Sequence, residues 1–312
     1  MVSWWHLTTC WLQWLTGHQV MDSLLIVLVM VSTGAGHCPA PPSSTSTPSP
    51  PPSSPPPCSS SLLHYSQEDP ELVEVVSRCH LLPPPPPSTP YTFSLGHPNL
   101  RGQVDQPVLV DLMYNMSTFP GVFVEAGAWD GEELSNSLLL EVERGWGGLL
   151  VEPNKEALHR LRGKGRKVWS PGTCLSPSTR PTMARLEDRG LLAGLGDQGE
   201  EVLCLPLYTL LLAMGNPTIH YLSLDIEGLE MEVVRTVPWD RVEVWVVSVE
   251  TNHGSSMEEG REWRREELVE VMEGVGYRWA ATAGIDDLFY RRDRLEVSEE
   301  VLTYIRQTRL PR

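Results

Sequence analysis

The chain has 312 residues, a formal net charge of −16 and 28 prolines. A charge this negative argues against a nucleic-acid partner, because binding to phosphates needs a basic surface. More than half of the prolines fall between Pro39 and Pro90, where too few large apolar residues occur to offset the entropy that folding costs. The sequence therefore predicts one compact domain over residues 91–312, preceded by a disordered stalk rich in proline and serine over residues 37–90.

We interpret residues 1–36 as a signal peptide or a membrane-anchor segment. The apolar run Ser23–Val31 is shorter than the roughly 20 residues that a helix needs to cross a bilayer. Small residues follow this run, as they do before a signal cleavage site, but no lysine or arginine precedes Arg78. A start at Met21 instead of Met1 would give a more usual signal peptide. Both interpretations place the domain in the secretory pathway, in the endoplasmic reticulum or Golgi or outside the cell.

The cysteines fit that compartment. Cys174 and Cys204 flank a glycine-rich insertion, either as two small buried side chains or as a disulfide that pins the insertion. The other four cysteines lack the spacing of a metal site, so no metal ion is expected. One N-glycosylation sequence occurs, at Asn115-Met116-Ser117, whereas Pro217 blocks a second one at Asn216.

From Val122 onward, short apolar runs alternate with helical patterns, which is typical of parallel strands joined by crossover helices. Residues 177–201 break this rhythm and are interpreted as a surface excursion. The sequence predicts a doubly wound α/β sandwich with a mostly parallel, seven-stranded sheet and an antiparallel closing hairpin. The predicted strands cover residues 122–125, 148–152, 166–170, 219–228, 242–250, 277–283 and 286–292, and the predicted helices include residues 131–145, 154–163, 229–237 and 261–275.

Carboxylates stand at the ends of four of the predicted parallel strands. In such folds, ligands bind at the carboxyl ends of the strands. Unpaired carboxylates buried at a sheet edge would cost several kcal/mol, which favours a functional reason for their presence. The carboxylates are Glu125 at the end of the first strand, Glu152 at the end of the second, Asp225 with Glu227 beside it at the end of the fourth, and Glu250 at the end of the fifth.

The loop after the first strand favours S-adenosylmethionine over a dinucleotide. Glu152 can accept hydrogen bonds from both hydroxyls of an adenosine ribose. A pyrophosphate needs the pattern G-x-G-x-x-G, whereas the loop Gly127–Gly131 has only two glycines and carries Asp130. A cofactor without phosphate, with a positive amino group and sulfonium, suits Glu125 and Asp130 better.

The segments "FVEAGAWDGEELSN", "GGLLVEPN" and "YLSLDIEGLEMEVVRTVPW" resemble the FkbM family of methyltransferase domains, and in detail its Star-like arthropod subgroup. The resemblance covers roughly Tyr91 to Arg294. It implies a class I S-adenosylmethionine-dependent methyltransferase fold, which is Rossmann-like, and methyl transfer to oxygen in the enzymatic members. Carried over by position, Glu125, Gly127 and Gly131 would line the methionine end, Glu152 the ribose, and the Thr173–Ser176 backbone, which includes Cys174, the adenine. Asp130 and Asp225 are further candidates for cofactor binding.

The sequence departs from the enzymatic relatives at two loop positions. Those relatives usually have asparagine where this chain has Trp129, and a hydrophobic residue where it has Asp130. Trp129 would either stack on the cofactor or fill the mouth of the pocket. The Star-like subgroup is linked to trafficking of membrane-bound growth-factor ligands. The alternative function is therefore a catalytically inactive factor that binds membrane-protein cargo on its way from the endoplasmic reticulum to the Golgi and endosomes.

Oxygen methylation needs a base near the acceptor hydroxyl. The candidates are Asp225, which could instead cap the helix after Gly228, and His253, in the loop after the fifth parallel strand. The acceptor would be a hydroxyl of a small molecule, a glycan or a protein. The Asp-x-Glu sequence could also belong to the metal site of a sugar-nucleotide transferase, but the acidic first loop and the lack of a nearby basic group argue against it.

Overall fold

The computed structural model describes residues 57–58, 61–94, 100–187, 194–251 and 265–307. These residues all belong to one compact unit, Pro52–Arg312. The predicted signal peptide or anchor at residues 1–36, and the predicted stalk as far as residue 56, lie outside the described residues. Within the described part of the chain, no helix is both long and apolar enough to cross a membrane.

The described residues form eight α-helices and ten strands, joined by turns and loops. The helices are α1 (Pro70–Val75, continued by a π-turn over Val76–His80), α2 (Gln106–Met113), α3 (Leu138–Arg144), α4 (Lys155–Gly163), α5 (Leu207–Ala213), α6 (Glu230–Thr236), α7 (Arg265–Gly274) and α8 (Glu299–Gln307). The strands are β1 (Val122–Ala126), β2 (Gly147–Val151), β3 (Cys174–Leu175), β4 (Thr182–Glu187), β5 (Gly194–Gly196), β6 (Glu200–Leu205), β7 (Ile219–Leu224), β8 (Val244–Glu250), β9 (Arg278–Ala283) and β10 (Asp286–Tyr290).

The central sheet has the strand order β2-β1-β7-β8-β10-β9. The first four strands are parallel, and β10 runs antiparallel to both β8 and β9. This confirms the α/β fold with a mostly parallel sheet and an antiparallel closing hairpin, which is consistent with a class I S-adenosylmethionine-dependent methyltransferase. Neighbouring strands bury alternate residues on two separate cores, one around Val124 and Leu222 and the other around Phe123 and Tyr221. Burial on both faces explains the continuous apolar runs of these strands.

The described part of the sheet has six strands, whereas the sequence suggested seven. The expected third strand, residues 166–170, is reduced to a single parallel bridge between Trp169 and Leu149. The ladder cannot lengthen because Lys167 donates its backbone N–H to the Glu141 carboxylate instead of to β2. On the other side, Pro171 has no N–H to donate.

Residues 61–90 were expected to belong to the disordered stalk, and the structure corrects this expectation. Leu72 and Val75 on α1, together with Val76, are fully buried in the core around Val124. Asp69 caps α1 by accepting a hydrogen bond from the Glu71 N–H, at 2.9 Å. The prolines that flank this segment hide a short amphipathic helix, and the folded unit therefore begins well before residue 91.

Two disulfides fasten the edges of the folded unit. Cys58–Cys79 ties the start of the described chain to the end of the π-turn, and no feature of the sequence predicted it. Cys174–Cys204 links β3 to β6, which confirms the disulfide alternative for this pair. The supposed surface excursion between these cysteines forms β4, β5 and the start of β6, in a second sheet of order β3-β6-β4-β5. Its Ala184 and Leu186 turn inward and its Met183 and Arg185 outward, which is the period of a strand.

Candidate cofactor site and active site

The carboxyl ends of β2, β1, β7 and β8 lie side by side because these strands are parallel neighbours. Glu152 directly follows β2, Glu125 is the fourth residue of β1, Asp225 directly follows β7, and Glu250 ends β8. The structure thus brings these four of the five sequence-predicted carboxylates to the same edge of the sheet. Their individual environments differ, and those environments decide what each can bind.

The Glu125 carboxylate is satisfied by the chain's own donors. It accepts hydrogen bonds from the Asn136 N–H at 2.8 Å, from the Ser135 hydroxyl at 2.9 Å, and from the Ser137 hydroxyl. Burial raises the pKa of Glu125, although the nearby Arg166 charge and these hydrogen bonds act against that rise. Glu125 therefore positions the turn before α3.

That turn also corrects the predicted helix at residues 131–145, since α3 begins only at Leu138. Leu134 has a φ of 59° and Gly131 a φ of 75°, and neither value is helical. Asp130 binds the N–H groups of residues 132 and 133, and Glu125 binds residues 135–137. Helical periodicity does not reveal these contacts.

Arg166 is the cation at the centre of this arrangement, and the sequence analysis missed it. The residue is 2% exposed, and its guanidinium binds Glu141 at 2.5 Å. It also donates to the Ser137 hydroxyl at 2.9 Å and to the Gly131 carbonyl. Arg166 lies in the basic run 160–167 together with the exposed Arg160 and Arg162, so the sequence alone did not show that Arg166 is buried.

Asp130 is paired within the protein rather than left free for a ligand. Its Oδ1 accepts hydrogen bonds from the N–H groups of Glu132 and Glu133, at 2.9 and 2.8 Å, and its Oδ2 lies 3.2 Å from Lys164 Nζ. Burial favours a higher pKa, but these two N–H groups and Lys164 outweigh it and lower the pKa of Asp130. Lys164 also pairs with Glu132. The sequence suggested a match between a cationic cofactor and Glu125 with Asp130, but it did not reveal that a cation of the protein lies next to Asp130.

Gly127 marks the closest approach between the loop after β1 and the end of β7. Its φ is 85°, and a Cβ atom at this position would lie 1.8 Å from the backbone oxygen of Asp225. Gly131 is less restricted, since its Cβ would lie 2.9 Å from Leu161 Cγ. Only glycine fits at Gly127, which agrees with a turn built for close backbone approach.

The Glu152 carboxylate holds the same loop from the β2 side. Its Oε2 accepts a hydrogen bond from the Trp129 N–H at 2.8 Å, and its Oε1 accepts one from the Asn154 N–H at 2.7 Å. Burial raises the pKa of Glu152 to about 7, although these two N–H groups and the Arg160 charge act in the other direction. Each oxygen retains a second lone pair, so Glu152 can still accept hydrogen bonds from a ligand.

Trp129 lies at the mouth of the loop and is half-buried. The guanidinium of Arg160 stands over its ring, at 4.8 Å from the centroid, which is a cation–π contact. The backbone φ of Trp129 is 46°, in the left-handed region that side chains other than glycine seldom adopt. The hydrogen bond to Glu152 helps to fix this conformation.

Three carboxylates converge next to Gly127. One oxygen each of Asp225, Glu227 and Glu250 lies within 4.8 Å of the others. Burial and the repulsion from Glu250 raise the pKa of Asp225 well above its usual range, and burial raises the pKa of Glu250 to about 8. Oxygens this close could bind a cation or a positively charged group of a ligand, although the sequence predicted no metal ion.

A fourth acid, Asp286, lies directly opposite Glu250 in the antiparallel pairing of β10 with β8. It is fully buried; its Oδ2 accepts a hydrogen bond from Gln106 at 3.2 Å, and its Oδ1 has no partner among the described residues. Burial and the charge of Asp225 raise the pKa of Asp286. Asp286 was not predicted, because the sequence does not reveal the register of the closing hairpin.

Asp225 does not cap the helix after Gly228, as its alternative role required. Among the described residues, no side chain caps α6, and the turn before it is held by Glu230, whose carboxylate accepts hydrogen bonds from the N–H groups of Ile226 and Gly228. The Asp225 side chain is thus left for the acidic cluster. The second candidate base, His253, lies outside the described residues.

Cys174 lies on β3, buried and joined to Cys204. Its neighbour Thr173 donates its hydroxyl to the Leu203 carbonyl, and Ser176 donates its N–H to Leu205. The Thr173–Ser176 segment is therefore engaged in the second sheet. The chain reaches the carboxyl edge of the central sheet at Pro171, whose carbonyl accepts the Glu152 N–H at 3.4 Å. The contact of Thr173–Ser176 with an adenine stays a prediction.

Comparison with known proteins finds a match to one protein family. Residues 125–279 match the family model of the methyltransferase FkbM domain, and no curated protein matches the chain. Among solved structures, the chain is similar to the methyltransferase FkbM from Methylobacillus flagellatus KT, at 13% identity and a TM-score of 0.35, over 62% of this chain and 48% of that one. It therefore spans about half the length of that protein.

Two further solved structures show a similar level of likeness. A TehB-like SAM-dependent methyltransferase from Corynebacterium glutamicum ATCC 13032 Kitasato is 11% identical at a TM-score of 0.32, over 60% of this chain and 86% of that one. A SAM-dependent methyltransferase from Aquifex aeolicus is 9% identical at a TM-score of 0.32, over 58% and 87%. Such low scores carry no information about activity. The finding that bears on the family is thus the match of residues 125–279, just under half of the chain, to the model of the methyltransferase FkbM domain.

Proposed function

We propose that this protein is an S-adenosylmethionine-dependent methyltransferase of FkbM type that transfers a methyl group to a hydroxyl oxygen. The observation that carries the proposal is the junction of Glu152 with the Gly127–Gly131 loop. There, a buried carboxylate with free lone pairs stands beside a backbone turn that only glycine can form. Such a junction suits an adenosine cofactor without phosphates.

The residues at the carboxyl edge of the sheet fit this cofactor in part. Glu152 would hold the ribose hydroxyls, and Gly127 leaves room for a close backbone approach. Glu125 and Asp130 are engaged by the protein itself, so they do not suit the positive methionine end. The acidic cluster of Asp225, Glu227 and Glu250 suits it better, because a cation would relieve the repulsion among the three carboxylates.

When bound, S-adenosylmethionine supplies an electrophilic methyl group on a sulfonium. The chain's own residues would supply a base. Oxygens of Asp225 and Glu250 lie within 4.8 Å of each other, and the two charges repel, so the pair would retain one proton at neutral pH and leave one basic oxygen. That oxygen could accept the proton of the acceptor hydroxyl. Asp225 is our candidate for this role, with His253 as a second one.

The acceptor would be a small molecule, a glycan or a protein that carries a hydroxyl group. We place the protein in the secretory pathway, within the endoplasmic reticulum or Golgi, at their membranes, or outside the cell. The support for this location is the pair of disulfides, Cys58–Cys79 and Cys174–Cys204, since such bonds persist in oxidising compartments.

A second candidate function is a non-catalytic, Star-like factor that binds membrane-protein cargo during trafficking. The observation that favours it is the internal use of the loop. Asp130 is paired with Lys164, and Trp129 lies under Arg160 at the mouth. If these contacts close the site to the cofactor, the domain would act only by binding a protein partner on its surface.

A change of Glu152 to glutamine tests the cofactor site. Hydrogen bonds to a charged group are worth about 1.5–3 kcal/mol each, so we expect Glu152→Gln to weaken the binding of S-adenosylhomocysteine roughly 10- to 100-fold. Since the pKa of Glu152 is raised to about 7, the carboxyl group is mostly protonated below that pH and ionised above it. Affinity of the unmodified chain should therefore rise between pH 6 and pH 8, and affinity of the variant should not.

The matched control is Glu270→Gln, on the exposed face of α7, where we expect no change in affinity. Because Glu152 also binds two backbone N–H groups, thermal unfolding of the variant should be measured in parallel. A folded Glu152→Gln protein with unchanged affinity and an unchanged pH profile would exclude Glu152 from the site.

A further inference from the structure

We propose that Asn115 carries an N-linked glycan, at the end of the domain opposite the candidate active site. This inference does not depend on methyl transfer. In the reaction, the Asn115 side-chain nitrogen forms a bond with the anomeric carbon of a lipid-linked oligosaccharide. The bond between that carbon and the lipid pyrophosphate breaks, and the amide loses one proton.

The sequence Asn115-Met116-Ser117 lies in a turn directly after α2. All three residues are exposed, and Asn115 and Met116 have φ values of 53° and 52°. The turn is held by backbone hydrogen bonds, including one from the Asn115 N–H to the Leu112 carbonyl at 2.9 Å. The Asn115 side chain makes no hydrogen bond with the described residues. Its amide is therefore presented to solvent by a fixed backbone, as modification requires.

The turn lies at the amino ends of the parallel strands. Tyr114, which precedes Asn115, donates its hydroxyl to the backbone oxygen of His220 at 2.6 Å. His220 is the second residue of β7, whereas Asp225 follows the last. At roughly 3.3 Å per residue, the two ends of β7 are about 16 Å apart. A glycan at Asn115 would therefore leave the carboxyl edge of the sheet open.

Two further features favour a glycan at this turn. The disulfides Cys58–Cys79 and Cys174–Cys204 indicate an oxidising compartment, which is where N-glycosylation occurs. Met116 is 55% exposed, and a bulky polar glycan on its neighbour would cover this apolar side chain. The second Asn-x-Thr sequence, at Asn216, contains Pro217 and provides a natural negative control.

The test is expression of the full chain in a eukaryotic cell, followed by treatment of the purified protein with peptide-N-glycosidase in water labelled with heavy oxygen. We expect a mass loss of one glycan and conversion of Asn115 to a labelled aspartate in the peptide map. Asn115→Gln and Ser117→Ala should each abolish the mass loss. Ser117→Ala leaves Asn115 and its turn conformation in place, so it separates loss of the sequence from loss of the fold.

Asn216→Gln should leave the modification unchanged. An unmodified Asn115 peptide from the intact, disulfide-bonded chain would overturn the proposal. A glycan that persists in the Ser117→Ala variant would overturn it too, because the modification would then lie elsewhere.

Discussion

Replacing Arg166 with methionine is expected to lower the free energy of unfolding by about 3–5 kcal/mol. The guanidinium is buried and bonded to the Glu141 carboxylate at 2.5 Å, and its charge also acts on Glu125. Methionine fills a similar volume without a charge or hydrogen-bond donors. Both carboxylates would then be buried without their cation, which costs far more than loss of an exposed pair.

Urea unfolding followed by tryptophan fluorescence measures this effect. The matched control is Arg185→Met, because Arg185 pairs with Glu201 on the surface at 3.1 Å, and such pairs contribute about 0–1 kcal/mol. If the two variants lose similar, small amounts of stability, then Arg166 does not hold the turn before α3. The assignment of Glu125 as a positioning residue would fail with it.

The change Gly127→Ala should cost about 3 kcal/mol or more and should also weaken cofactor binding. The added methyl group would lie 1.8 Å from the Asp225 backbone oxygen, and the φ of 85° is unfavourable for alanine. The loop after β1 can accept the methyl group only by moving away from β7. That movement would separate Glu152 from the acidic cluster around Asp225.

The control for Gly127→Ala is Gly145→Ala, at the end of α3. Gly145 has a φ of 69°, but no atom lies within 4 Å of its added Cβ, so only the conformational cost remains, about 1 kcal/mol. Both variants are compared by urea unfolding and by titration with S-adenosylhomocysteine. Equal costs for the two variants would show that the approach of Gly127 to Asp225 is not as close as described.

The parallel strands were the most predictable part of the fold. Strands β1, β7 and β8 are buried on both faces, so each appears in the sequence as a continuous apolar run. These runs also predicted where the strands end, and therefore that carboxylates such as Glu152 and Asp225 lie at the strand ends. Residues 61–90 were misjudged because a proline-rich composition outweighed the short helical pattern of Leu72 and Val75.

The partners of the carboxylates could not be predicted. Arg166 and Lys164 come from the segment after α4, yet they bind Glu141 and Asp130, which lie before β2. Such pairs depend on how the loops fold back over the sheet. The same is true of Asp286, whose position opposite Glu250 depends on the register of the hairpin. Sequence patterns identify the acidic residues at the carboxyl edge of the sheet. Long-range contacts decide which of them are already paired with cations of the protein.

The most direct test of the proposed function is calorimetric titration of the full, disulfide-bonded chain with S-adenosylmethionine and S-adenosylhomocysteine. The full chain is needed because a chain that begins at residue 91 would lack Leu72, Val75 and the Cys58–Cys79 disulfide of the folded unit. We expect micromolar binding of both compounds, weakened by Glu152→Gln. No binding by a demonstrably folded protein would contradict the methyltransferase proposal and favour the non-catalytic alternative, with Trp129 and the Asp130–Lys164 pair closing the site.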